Sequence, residues 1–186
     1  MAGCINYNCV DDLENQVLND CGEKVEGGIP EMVIFDCGAE PTDPTDVTEI
    51  NAIIAAGNAV HIKQIKGGIA KGSAVKPDTM VSGQSPSVSV YEFVGAFLDG
   101  NVNINSAAFY RSINSANGRT NGAILAATTG DPSIAYYINP PKGIKFEGTG
   151  VIPNDTDGFT HYDMEFHYKA KEGFYVITAP VGLFGQ

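Results

Sequence analysis

FTHYDMEFHYK, residues 159–169, decides how this chain is read. Tyr162, Met164, Phe166 and Tyr168 alternate with His161, Asp163, Glu165 and His167. Successive side chains of a strand point to opposite faces, so the first set belongs to a core. The second set forms a polar ladder that faces water or another subunit. A strand with one wet face is the unit of an antiparallel sheet.

The segments around it repeat the theme. AILAAT (123–128), SIAYYI (133–138), GIKFEGTGVI (143–152) and FYVIT (174–178) read as short strands. Turn signals such as Gly130-Asp131-Pro132 and Asn139-Pro140-Pro141 separate them. Strands at intervals of about ten residues have the rhythm of a sandwich or barrel. Further upstream, MVIFDC (32–37) and AVHIKQIK (59–66) each read as one strand, and PSVSVYEFVGAFL (86–98) is a long β-prone run.

Helices are few. Asp46-Val47-Thr48-Glu49 fits a capping box and opens a helix carrying Ile50, Ile53 and Ile54 that stops at Gly57. Residues 105–115 form a second, with Ala108, Phe109, Ser112 and Ile113 on one side. Val10, Leu13, Val17 and Leu18 stand at helical spacing over 10–20. The expected fold is mostly β (α+β): a β-sandwich or barrel with one or two short helices and an N-terminal arm.

Length and composition fit one globular domain. The chain has 186 residues, 43% hydrophobic and 18% charged, with a net charge of −11. That balance argues against a general nucleic-acid binder, which needs a basic footprint. No apolar run reaches the ~18 residues of a membrane span. MAGCINYNCVDDLENQ lacks the basic start and apolar stretch of a signal peptide.

The charge is concentrated. Residues 1–50 hold twelve acids and one base, Lys24, while the remaining ten acids and ten bases cancel. All four cysteines, Cys4, Cys9, Cys21 and Cys37, lie in the same stretch. PTDPTD (41–46) reads as a linker. The expected organisation is an acidic, Cys-containing arm over 1–45 and a β-rich domain over 46–186. Such asymmetry marks either an arm that meets a partner or a solvated acidic face.

The cysteines contain no C-x-x-C pair of the kind that sets zinc geometry; four could make two disulfides in an oxidising compartment, and without a signal peptide they read first as reduced, small apolar residues. Lys63, Lys66, Lys71 and Lys76 cluster around GGIAKGSAVKPD, which lacks P-loop spacing. They make either a plain surface loop or a basic patch for an acidic surface, such as the arm of a neighbouring subunit.

The ladder of His161, Asp163, Glu165 and His167 carries metal-ligand residue types. The two histidines stand about 20 Å apart at strand rise, so one ion cannot take both. Asp163 and Glu165, about 7 Å apart, match the carboxylate spacing of an inverting glycosidase. On one strand of a small protein without tryptophan, however, they read first as a solvated or interfacial strand face. There is no G-x-S-x-G, H-E-x-x-H or G-x-G-x-x-G. No catalytic residue, cofactor or metal is therefore assigned.

IKFEGTGVIPNDTDGFTHYDMEFHYKAKEGFYVITAPVGLF, with its alternating strand, Lys169–Lys171 and closing Pro180-Val181-Gly182-Leu183-Phe184, resembles the C-terminal half of the bacteriophage tail-tube family. An N-terminal arm, strands broken by one helix at 105–115, and closing strands are similar in layout over 59–184. The resemblance implies a virion structural subunit, made in the host bacterial cytoplasm. It would form rings, usually hexameric, beside other virion proteins. Genomic DNA would pass through the lumen without specific binding, and a negative lumen would repel phosphates. Neck or connector rings share this look. A capsid decoration or adaptor protein, and a small metal-dependent hydrolase using the ladder, are the alternatives.

Overall fold

The structure, a computed structural model, describes residues 28–70, 72–75, 90–102, 104–115, 122–152, 158 and 160–185. Among the described residues, ten strands and two helices follow one another. They are β1 (Met32–Phe35), α1 (Val47–Ala55), β2 (Ala59–Ile62), β3 (Ile65–Ile69), β4 (Ser73–Ala74), β5 (Tyr91–Asp99) and α2 (Ile104–Ser115). β6 (Ile124–Ala127), β7 (Ile134–Ile138), β8 (Lys145–Val151), β9 (His161–Ala170) and β10 (Tyr175–Thr178) complete it. One sheet has the order β10-β7-β6-β1-β2. The other runs β3-β5-β9-β8, with β4 also paired to β5. All pairings are antiparallel. The mostly-β α+β expectation holds.

The two sheets face each other across one core. Met32, Ile34, Ile124 and Ile138 of the first sheet meet Phe97, Phe146, Met164 and Phe166 of the second. The alternate residues of the first sheet, Val33, Phe35, Leu125 and Ala127, are buried on its other face against Ile50 of α1 and the C-terminal Leu183 and Phe184. Covering on both sides explains why MVIF and ILAA are unbroken apolar runs. Among the described residues the second sheet is covered on one side only, which matches the alternation of buried and exposed positions in β9.

Gly95 makes the centre of that sheet close. It lies opposite Phe166 in register, and a Cβ there would come within 2.0 Å of the Phe166 ring. The ring therefore fills the space that any other residue at 95 would need.

α1 has the expected stop and half of the expected start. Asp46 is the N-cap and accepts from the Thr48 amide at 2.8 Å. Glu49 does not complete a capping box; its carboxylate accepts from the amides of Thr42 and Asp43 instead, at 2.8 and 3.0 Å. At the other end Gly57 has φ +77°. Its amide donates to Ile54 and that of Asn58 to Ile53, a Schellman closure.

Four expectations are corrected. Residues 28–45 do not belong to an arm, because β1 stands in the sheet between β6 and β2 and is buried throughout. The apolar MVIF outweighs its acidic neighbours. Residues 59–66 are not one straight strand: the chain bends at Lys63 and Gln64, where Gln64 has φ +59°, and passes from one sheet to the other. The glycine- and lysine-bearing stretch is not a plain loop, since Ile65–Ile69 and Ser73–Ala74 pair with β5. On α2, Ala108 and Ser112 are exposed, and Tyr110 is the buried side chain instead. The expected helix over 10–20 lies outside the described residues.

Candidate assembly surfaces

β9 carries the ladder into the middle of the one-sided sheet, between β5 and β8. Met164, Phe166 and Tyr168 point into the core, and Asp163 and Glu165 are exposed. His161 and His167 are half-buried, one at the start of the strand and the other nearer its end.

The sheet register adds what the ladder lacked. Glu147 of β8 lies directly opposite Glu165, and Lys145 opposite His167. His167 Nε2 stands 3.2 Å from Glu147 Oε1 and 3.4 Å from Glu165 Oε2. Lys145 Nζ is 3.7 Å from Glu147 Oε1. Two like charges opposed across a ladder repel; the Lys145 ammonium offsets that repulsion, and the imidazole adds to that offset only when it carries a proton. The result is a charged cluster on a wet face. Among the described residues no group of three or more His, Cys, Asp or Glu is placed to hold a metal ion. Only the pairing of β8 with β9 reveals Glu147 as a neighbour.

The lysines separate. Lys66 is exposed on β3, opposite Leu98, and Lys63 is exposed at the bend. Lys71 and Lys76 lie outside the described residues. Along β5 the partly or fully exposed Val94, Ala96 and Leu98 face outward beside the ladder, opposite His167, Glu165 and Asp163.

The sheet ends differ in how they are protected. β8 carries Lys145, Glu147 and two glycines, features that discourage edge pairing. β10 is Tyr-Val-Ile-Thr, with neither charge nor proline. Phe174, Tyr175 and Val176 are 41%, 53% and 59% exposed there. Val176 lies opposite Tyr136, which packs toward the inter-sheet core, yet it remains open.

Three features had no signal in sequence. Glu31 holds the C-terminal segment, accepting from the Gly185 amide at 3.2 Å while approaching His61 Nε2 at 3.0 Å. The Phe184 ring meets His61 edge-on at 5.8 Å. Burial, then the nearby Lys63 charge, hold the His61 pKa below its ordinary value against the pull of Glu31. Second, the Tyr110 hydroxyl is buried on Asp99; burial first, then that carboxylate, push its pKa up. Third, a groove of about 530 Å³ has Val60–Gln64 as one wall and Asp99, Asn101, Phe109 and Tyr110 as the other. No helix among the described residues is long and apolar enough to cross a membrane.

Comparison with known proteins yields no matching family, no matching curated protein and no matching solved structure.

Proposed function

We propose that the chain is a structural subunit of a bacteriophage virion, a tail-tube or neck/connector ring protein that self-assembles around a DNA passage. It acts by assembly and not by chemistry. The single observation that carries this reading is β10, an uncharged strand at the edge of its sheet among the described residues, with Tyr175 and Val176 exposed beside Phe174. Such an edge presents unpaired backbone groups and apolar side chains together, and pairing with another chain satisfies both. Head-to-tail contacts of this kind give rings when the rotation closes. The acidic excess near the N-terminus suits a passage through which phosphates slide without sticking.

Light scattering over a range of protein concentration, with negative-stain microscopy, tests the proposal. Rings or tubes are the expected result. A strict monomer at every concentration overturns it and turns attention to a decoration or adaptor protein that needs its lattice.

A further inference from the structure

We propose that the groove between β2 and α2 receives the acidic N-terminal segment, residues 1–27, of a second copy of this chain, added as a short strand on β2. This rests on the assembly reading above and names one of its contacts.

The edge comes first. β2 and β3 form one bent strand that pairs with β1 and Ile29 along one side. On the opposite side β5 covers only the β3 half, its last pair being Asp99 with Ile65. From there back along β2 no described strand pairs with that side. The Asp36 amide donates to Asn58 at 2.9 Å, which fixes the alternation: Val60 and Ile62 bond to β1, while the backbone groups of Ala59 and His61 face that other side. An extended peptide satisfies such groups by becoming the next strand.

The groove beside that edge supplies side-chain pockets. Val60 is 38% exposed within it, and Phe109 of α2 forms the facing wall. An edge strand facing a helix across a cavity of about 530 Å³ accepts alternate apolar side chains of an added strand. At its mouth Lys63 is exposed.

The occupant follows from chemistry and from where the described chain begins. Residues 1–27 hold six acids and one base, Lys24. Ile5, Tyr7 and Cys9 alternate with Asn6 and Asn8, a strand pattern, directly ahead of Asp11 and Asp12. Those acids complement Lys63. Ile29 pairs with Gly67 on the side of the bent strand away from the groove, and the Gly28 carbonyl accepts from Thr129. The described chain thus begins on the far side of the ribbon from the groove, and a neighbour's groove is the one we assign to the segment.

The experiment uses the full chain. Nitrogen-15-labelled and unlabelled protein are unfolded, mixed in equal amounts and refolded together so that assemblies contain both labels, then treated with an amine-reactive cross-linker and analysed by mass spectrometry. Cross-links from Lys24 of one label to Lys63 of the other are expected. In parallel, a synthetic peptide of residues 1–27 is titrated into the assembly, and Val60→Glu is made in the full chain. Each should weaken association about tenfold, and the peptide arm stands even if the variant misfolds. Same-label cross-links only, or an assembly that excess peptide leaves intact, overturn this inference alone. A monomer at all concentrations overturns it together with the assembly reading.

Discussion

The Tyr110 hydroxyl donates to Asp99 Oδ2 at 2.6 Å, fastening α2 to the last residue of β5. Asp99 Oδ1 also accepts the Asn101 amide at 2.8 Å, so the carboxylate shapes the chain as it leaves the strand. Tyr110 is 2% exposed and stacks on Tyr162 of β9 at 4.2 Å. Tyr110→Phe keeps the ring and strips one donor from a carboxylate that is 3% exposed. A loss of about 1–3 kcal/mol is expected in urea denaturation. No change in midpoint would mean that water replaces the hydroxyl without cost.

Stability should fall on mild acidification through His61. Its folded pKa lies below the ordinary 6.5, with burial the main cause. Between the two pKa values the unfolded chain binds the extra proton, so stability rises with pH there. The contribution is complete above the unfolded value and is lost as pH drops from about 6.5 toward the folded one. Urea midpoints measured from pH 8 down to 5 should show this slope, and His61→Gln should flatten it. An unchanged slope in the variant would assign the effect to another group.

Gly95→Val should be among the most damaging single changes. The Phe166 ring is fully buried and lies where the new side chain would go. Overpacking at such a site costs about 1–3 kcal/mol or more. Thermal melts would register it, and pairing with Phe166→Ala should recover part of the loss if the clash is the cause.

At the edge, Val176→Lys should impair association while leaving the subunit's stability within about 0.5 kcal/mol. The residue is 59% exposed, so a lysine there costs the isolated fold little. Equal assembly by variant and parent would remove β10 from the interface.

Lys66→Glu tests the basic positions. Lys66 is exposed on β3, clear of the core. If the acidic surface of another copy meets it, assembly weakens at low salt and the difference shrinks as salt is raised. A variant that matches the parent at low salt would exclude Lys66 from that contact.

Most of the elements were readable locally because their signals are local. The period of two in His161–Ala170 separates core from wet face without reference to any neighbour. Asp46 and Gly57 mark a helix start and stop by short-range hydrogen bonding. Alternation broke down as a guide in β1 and β6, where both faces are buried, so apolar runs could show a strand but not its place at the centre of a sheet.

The sequence by itself determined the mostly-β class, nearly all of the strands, both described helices and the outward direction of Asp163 and Glu165. These follow from side-chain periodicity and turn chemistry within a few residues. Only the tertiary structure decided the bend at Gln64 and the joining of β1 to the domain. It alone placed Glu147 beside His167, Glu31 beside Gly185, and Asp99 under Tyr110. Those partners lie between 11 and 154 residues apart in the chain. Register between strands and the docking of a helix bring them together, and neither leaves a periodic trace in the sequence.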